Sequence, residues 1–134
     1  MTNAPLSIDD WMTSTLHTIG DDLTLADART RMREHQVRHL PVLRGGHVRG
    51  IVSERDIALV ESLPGVDANQ LKISEAMTEE PYIVPRGTSI HDVVHEMAKH
   101  KYGATLVVDG DRPVGIFTTI DALNLAARLL EAQR

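Results

Sequence analysis

The chain has 134 residues and a mass of 14.8 kDa, enough for one compact domain or one tightly fused pair of halves. With 14 basic and 19 acidic residues the formal charge is −5, which argues against broad nonspecific nucleic-acid binding, and 42% hydrophobic content argues against general disorder. Cysteine is absent, which excludes disulfides, thiol catalysis and cysteine-based zinc sites and fits a reducing compartment.

The start, Met1-Thr2-Asn3-Ala4-Pro5, soon reaches Asp9 and Asp10 and lacks the basic head and apolar body of a signal peptide. No apolar run approaches the roughly 18 residues of a membrane span, so a cytoplasmic, soluble protein is expected. A short segment Ile8 to Thr13 leads to a small strand near His17–Ile19. Thr24 with Asp27 has the spacing of an N-cap and a first-turn carboxylate, and Leu25, Ala28 and Met32 share one face of the helix that follows. Leu40–Leu43 and Val48–Val52 flank Gly45-Gly46 as a hairpin, and Pro41 is expected at a strand start or edge because it has no N–H to donate. A closing helix covers about Glu54–Glu61.

The same order then returns. Shifted by 65 residues, the sequence aligns with itself without a gap: Met12-Thr13 falls on Met77-Thr78, Asp27 on Asp92, Gly50-Ile51 on Gly115-Ile116 and Asp56 on Asp121. The second copy has a strand near Tyr82–Val84 and a helix start at Ser89 with Asp92. The apolar face of that helix is Ile90, Val93, Val94 and Met97. A hairpin follows, Thr105–Val108 and Val114–Phe117 around Gly110-Asp111, and then a longer helix over about Thr119–Leu130. That helix carries Ile120, Leu123, Ala127 and Leu130 on one side and Ala122, Leu125, Ala126 and Leu129 beside them. The fold class is α/β (α+β), with two subdomains of strand-helix-strand-strand-helix over 7–62 and 73–130, joined by a linker over 63–72.

The repeated residues carry chemistry at one place. Ser53 with Asp56, and Thr118 with Asp121, put a hydroxyl and a carboxylate at a helix start behind a strand. Helix N-termini attract phosphate, and a carboxylate accepts two hydrogen bonds, which suits a ribose diol. The same spacing is also an ordinary capping pattern that needs no ligand. His91 and His95 lie four apart on a helix but have no obvious third metal ligand, so no metal is expected. Arg29, Arg31 and Arg33 read as a solvated helix face pairing with Asp27 and Glu34. No nucleophile–base arrangement and no Walker loop is present, so no catalytic residue and no enzyme activity is expected.

The chain resembles a tandem pair of CBS (cystathionine β-synthase) domains, a Bateman module. The resemblance rests on Met12-Thr13, Val37-Arg38-His39-Leu40-Pro41-Val42 and Gly50-Ile51-Val52-Ser53-Glu54-Arg55-Asp56. In the second copy it rests on Met77-Thr78, Tyr102-Gly103-Ala104-Thr105-Leu106-Val107 and Gly115-Ile116-Phe117-Thr118-Thr119-Ile120-Asp121. It covers about residues 7–126, with Leu106 standing where the first copy has Pro41. It implies a disc-like regulatory module with two pseudo-symmetric clefts that bind adenine nucleotides such as AMP, ATP, NAD or S-adenosyl compounds. Carried over residue by residue, one cleft would combine Thr78, Ile83, Tyr102 and Gly103 with Ser53, Arg55 and Asp56. The other would combine Thr13, Thr18 and Val37 with Thr118, Ile120 and Asp121, and Arg38 and His39 would reach the phosphate at Asp56. Many family members are attached to an enzyme, channel or transporter; 134 residues leave no room for one here, so a stand-alone sensor is expected that acts through an unidentified regulated protein or its own homodimer. Helices, including the Leu25–Met32 and Ile90–Met97 faces, would pair in that dimer. The alternative is a structural dimerisation or protein-interaction module with empty clefts.

Overall fold

The computed structural model describes residues 6–133. Ten regular elements follow one another: β1 (Ile19–Gly20), α1 (Leu25–His35), β2 (His39–Arg44), β3 (His47–Ser53), α2 (Glu54–Glu61), β4 (Ile83–Pro85), α3 (Ile90–His100), β5 (Ala104–Asp109), β6 (Arg112–Thr118) and α4 (Thr119–Glu131). Single 3-10 turns, Ile8–Asp10 and Ile73–Glu75, precede the two halves. The 65-residue offset holds for both turns, for α1 and α3 and for both hairpins, so the repeat read in the sequence is a repeat of structure.

The chain forms two compact units, and they do not coincide with the two sequence copies. One is His17–Pro81; the other joins the described residues up to Leu16 to those from Tyr82 onward. The leading segment of each copy therefore packs in the unit built by the other copy. Thr78 pairs with Ile51 in both directions, Ile51 N donating to Thr78 O at 3.0 Å and Thr78 N to Ile51 O at 2.8 Å. Thr13 and Ile116 pair in the same way at 2.8 and 2.9 Å. Lengthening this exchange, Leu71 O receives the N–H of Leu25, and Leu6 O receives that of Ile90, at the first residue of α1 and of α3.

Glycine makes the exchange possible. A Cβ on Gly50 would lie 2.4 Å from the Thr78 carbonyl oxygen and 3.0 Å from the Met77 sulfur, and one on Gly115 would lie 2.2 Å from the Met12 sulfur. The Met-Thr and Gly-Ile motifs of each unit are thus two sides of one contact.

Each unit has a three-stranded sheet, in the order β1-β2-β3 or β4-β5-β6, with the first pair parallel and the second antiparallel. The sheet is covered by its helices. Leu25, Ala28, Met32, Leu40, Val42, Val52 and Ile57 form the core of the first, and Ile90, Val93, Met97, Val107, Phe117 and Leu125 that of the second. The hairpins close on two-residue loops. Gly45 and Gly46 both have positive φ (57° and 83°), the geometry that matches the twist of the strands.

Three sequence expectations change. Pro41 is neither at a strand start nor in an edge strand: it is the third residue of β2, the central strand. The equivalent Leu106 pairs with Ile83 and donates its N–H to Tyr82 O at 2.9 Å. Proline cannot, so β1 is one residue shorter than β4 and begins its pairing at Val42, beyond the ring. Ser89 makes no side-chain cap, unlike Thr24, although the two sit in equivalent bridges to Ser7 and Lys72; the Asp92 carboxylate lies 3.4 Å from His91 Nδ1 instead. The apolar faces of α1 and α3 are buried against their own sheets and are not free to pair with another molecule. The uncovered apolar surface is on α4, where Ile120, Leu123, Leu129 and Leu130 are all more than half exposed, with Leu59 on α2 and Leu63 after it.

Two stability predictions follow from these contacts. Gly50→Ala should cost about 2–3 kcal/mol, because its methyl meets a backbone carbonyl that is itself hydrogen-bonded. Gly115→Ala should cost less, about 1 kcal/mol, because Met12 is flexible and can turn away; chemical denaturation of the two variants measures the order. At the start of α1, Asp27 accepts from the Thr24 N–H (3.0 Å) while its own N–H donates to the Thr24 hydroxyl (3.2 Å). The hydrogen bonds to Thr24, backbone first and then side chain, with Arg31 nearby, hold the Asp27 carboxyl below the usual carboxylate range. A lowered folded-state pKa gives stability that is present above the unfolded value near ~3.9 and is lost as pH falls through the folded value. Asp27→Asn should therefore be less stable than the parent at pH 7, and the gap should close below about pH 4 in acid-unfolding curves.

Candidate functional site

Both copies place their Ser/Thr–Asp pair at the junction of a strand and a helix. Ser53 ends β3 and caps α2: Asp56 N donates to Ser53 Oγ at 3.0 Å, and Ser53 N donates to Asp56 Oδ2 at 2.9 Å. Thr118 ends β6 and caps α4, with Thr118 N donating to Asp121 Oδ2 at 2.8 Å, its hydroxyl to the same oxygen at 3.2 Å, and Asp121 N to Thr118 Oγ1 at a long 3.4 Å. The capping pattern is thus realised. In each carboxylate Oδ2 carries the cap, and among the described residues no hydrogen bond engages Oδ1. The cap therefore commits one oxygen of each carboxylate and leaves the acceptor capacity of the other.

The residue just before the central strand is tied to the same helix start. Glu54 N donates to Arg38 O at 2.9 Å, and Thr119 N donates to Gly103 O at 3.1 Å. His39 lies opposite Ser53 in the β2–β3 register. Thr78, through its bridge to Ile51, lies beside β3 two residues before Ser53; Thr13 does the same at Ile116, two residues before Thr118. One unit therefore brings together Arg38, His39, Ser53, Arg55, Asp56 and Thr78, and the other brings together Thr13, Gly103, Thr118, Ile120 and Asp121.

The remaining expected residues divide by unit. Thr18 and Val37 belong to the unit of Asp56. The Thr18 carbonyl accepts from Arg31 Nη1 at 2.7 Å, and Val37 packs on the core. Ile83 and Tyr102 belong to the unit of Asp121, and both are partly exposed. Arg55 is exposed at the start of α2 and makes no ion pair among the described residues, and Ile120 is exposed on α4. Arg29 pairs with Glu61 of α2, not with Asp27 or Glu34, its Nε donating at 3.1 Å.

Sequence reading missed a ring cluster. Tyr102 stacks between Tyr82 (centroids 5.1 Å apart) and His100 (5.2 Å). Burial, with Glu96 and Asp92 nearby, pushes the Tyr82 phenol up. The equivalent positions of the first copy are His17, Val37 and His35, where the two imidazoles stack directly at 3.6 Å. The offset of 65 relates these positions, but unlike residue types hide the correspondence.

Comparison with known proteins agrees with this architecture. The chain matches the CBS domain family over residues 8–62 and 73–128, and it belongs to that family as a tandem pair. It is 33% identical to the CBS domain-containing protein YhcV of Bacillus subtilis over 110 residues, covering 82% of this chain and 78% of that protein. Among solved structures, AcuB of Vibrio cholerae superposes with a TM-score of 0.83 at 31% identity, covering 97% of this chain and 96% of the other. The CBS domain pair of protein MJ0100 superposes with a TM-score of 0.82 at 24% identity, over 98% and 100% of the two chains, and shares the fold. No helix among the described residues is long and apolar enough to cross a membrane.

Proposed function

We propose that this CBS pair is a cytoplasmic regulatory module that binds adenine nucleotides at the starts of α2 and α4 and carries no catalytic activity of its own. The observation that supports this most directly is the double role of Asp56 and Asp121. Each caps its helix through Oδ2 and keeps Oδ1 available as an acceptor for ribose hydroxyls, beside a helix N-terminus that favours phosphate. The MJ0100 pair was crystallised with 5′-methylthioadenosine and S-adenosyl-L-methionine, which supports an adenosyl ligand for this fold. Tyr102 and Ile83, partly exposed in the unit of Asp121, and Thr18 and Val37 in the unit of Asp56 are the residues proposed for the base. Thr78 and Thr13 are proposed polar contacts beside β3 and β6.

The two ends differ in charge. Arg38, His39 and Arg55 accompany Ser53 and Asp56, whereas Gly103, Ala104 and Ile120 stand at the equivalent positions near Asp121. A well-placed arginine–phosphate contact contributes roughly 1.5–3 kcal/mol, on the order of tenfold to a hundredfold in affinity. The Asp56 end is the proposed site for phosphorylated nucleotides, and the Asp121 end for a nucleoside or S-adenosyl ligand. Calorimetric titration with AMP, ATP, NAD and S-adenosylmethionine tests both statements. Asp56→Asn keeps the cap acceptor and replaces the free carboxylate oxygen with an NH₂ group. It should remove the tighter AMP phase, and Asp121→Asn should spare it. Equal losses would refute the asymmetry, and absence of heat with all four ligands at millimolar concentration would favour a purely structural module.

The apolar stripe of α4 supports a homodimer as the route of output. Four large apolar side chains, Ile120, Leu123, Leu129 and Leu130, are each more than half exposed on one helix, an arrangement that monomers rarely leave uncovered. Sedimentation at micromolar concentration should show a dimer that Leu123→Glu combined with Leu130→Glu converts to a monomer. A parent chain that sediments as a monomer would refute this route.

A further inference from the structure

The first unit holds a second candidate site that does not contain Asp56. A cavity of about 440 Å³ opens between α1 and the start of α2, within the size range of small-molecule sites. Its floor is apolar, made by Met32, Val37 and Ile57, of which Met32 and Ile57 are core residues. Its rim is cationic. Arg29 and Arg33 lie one turn apart on α1, Arg38 follows the helix, and Glu54 is the one carboxylate among the lining residues. Arg29 is steadied by Glu61, while Arg33 and Arg38 make no ion pair among the described residues.

Two features set this cluster apart from ordinary solvated arginines. It converges on a concavity with an apolar floor, in a chain whose net charge is −5. The fold also does not require it: at the equivalent positions of α3 and its C-terminal loop stand Val94, Ala98 and Gly103, yet α3 has the same eleven-residue length as α1 and ends on the same left-handed residue position, Lys101 for Gln36. Guanidinium groups bind planar oxyanions through paired N–H donors, and an apolar floor accepts a hydrocarbon or ring.

We propose that the α1–α2 pocket of the first unit binds a small organic anion, a phosphate monoester or carboxylate borne on an apolar body, through Arg33 and Arg38 over Met32 and Ile57. On α2 the pocket is lined by Glu54 and Ile57, and neither Arg55 nor Asp56 lines it; it shares Val37 and Arg38 with the nucleotide reading, and Arg33, Met32 and Ile57 are its own. The test uses the full chain and 1-naphthyl phosphate, followed by calorimetry, with 1-naphthol as the uncharged control and inorganic phosphate as the control without an apolar body. Saturable binding of 1-naphthyl phosphate is expected, with both controls at least tenfold weaker. Arg33→Gln is an exposed substitution, and circular dichroism should show it folded. It should weaken 1-naphthyl phosphate at least tenfold and leave AMP binding unchanged, whereas Asp56→Asn should leave 1-naphthyl phosphate bound. Absence of saturable binding, indifference to Arg33→Gln, or loss in Asp56→Asn would overturn the proposal. A protein that takes 1-naphthyl phosphate and not AMP would uphold the pocket while refuting the nucleotide site.

Discussion

The missing side chain of Gly50, and of its counterpart Gly115, lets a distant piece of chain lie directly on the last strand of each sheet. Where a Cβ would stand, the Thr78 carbonyl approaches to 2.4 Å and the Met12 sulfur to 2.2 Å. That close approach lets Thr78 and Thr13 exchange paired hydrogen bonds with Ile51 and Ile116. These bonds in turn draw the leading segment of each copy into the unit formed by the other. A unit built from one copy alone would lack this segment and the buried residue that comes with it, Ile73 in one case and Ile8 in the other. Small cores are marginal, so an exchanged buried isoleucine in each unit makes a material contribution.

The same contact positions the chemistry. β3 and β6 run from the glycine to the capping hydroxyl in three residues, so the strand that receives the exchanged threonine also delivers Ser53 or Thr118 to its helix. The backbone carbonyls of Arg38 and Gly103 then take the first N–H of α2 and α4. With these bonds made by the backbone and the cap, each Asp has an oxygen to spare. Ser53, Asp56, Thr118 and Asp121 are therefore held in place by hydrogen bonds of the fold itself.

Within this shared frame the copies have diverged in side chains that the frame does not use. The first copy has arginines around α1 and at the start of α2 where the second has Val94, Ala98, Gly103 and Ile120. The second copy has two tyrosines in its ring cluster where the first has His17 and Val37. Backbone geometry is nearly unchanged by these differences, the shortened β1 beside Pro41 excepted.

Much was determined by the sequence by itself. The 65-residue period, the helix α2 to its terminal residues, the Thr24, Ser53 and Thr118 caps and both two-residue hairpins depend on groups a few positions apart, and short-range sterics and hydrogen bonding set them. The Ser53–Asp56 and Thr118–Asp121 pairs were legible for the same reason. What depends on residues far apart in the chain was settled by packing: which unit receives each Met-Thr segment, and that Ser89, unlike Thr24, makes no side-chain cap. Packing likewise decided that Pro41 is tolerated in a central strand because its neighbour stops short, and that Arg29 turns to Glu61. Helical periodicity showed apolar faces on α1, α3 and α4 alike, but it could not say which were covered, because burial is set by the packing partner and not by the pattern.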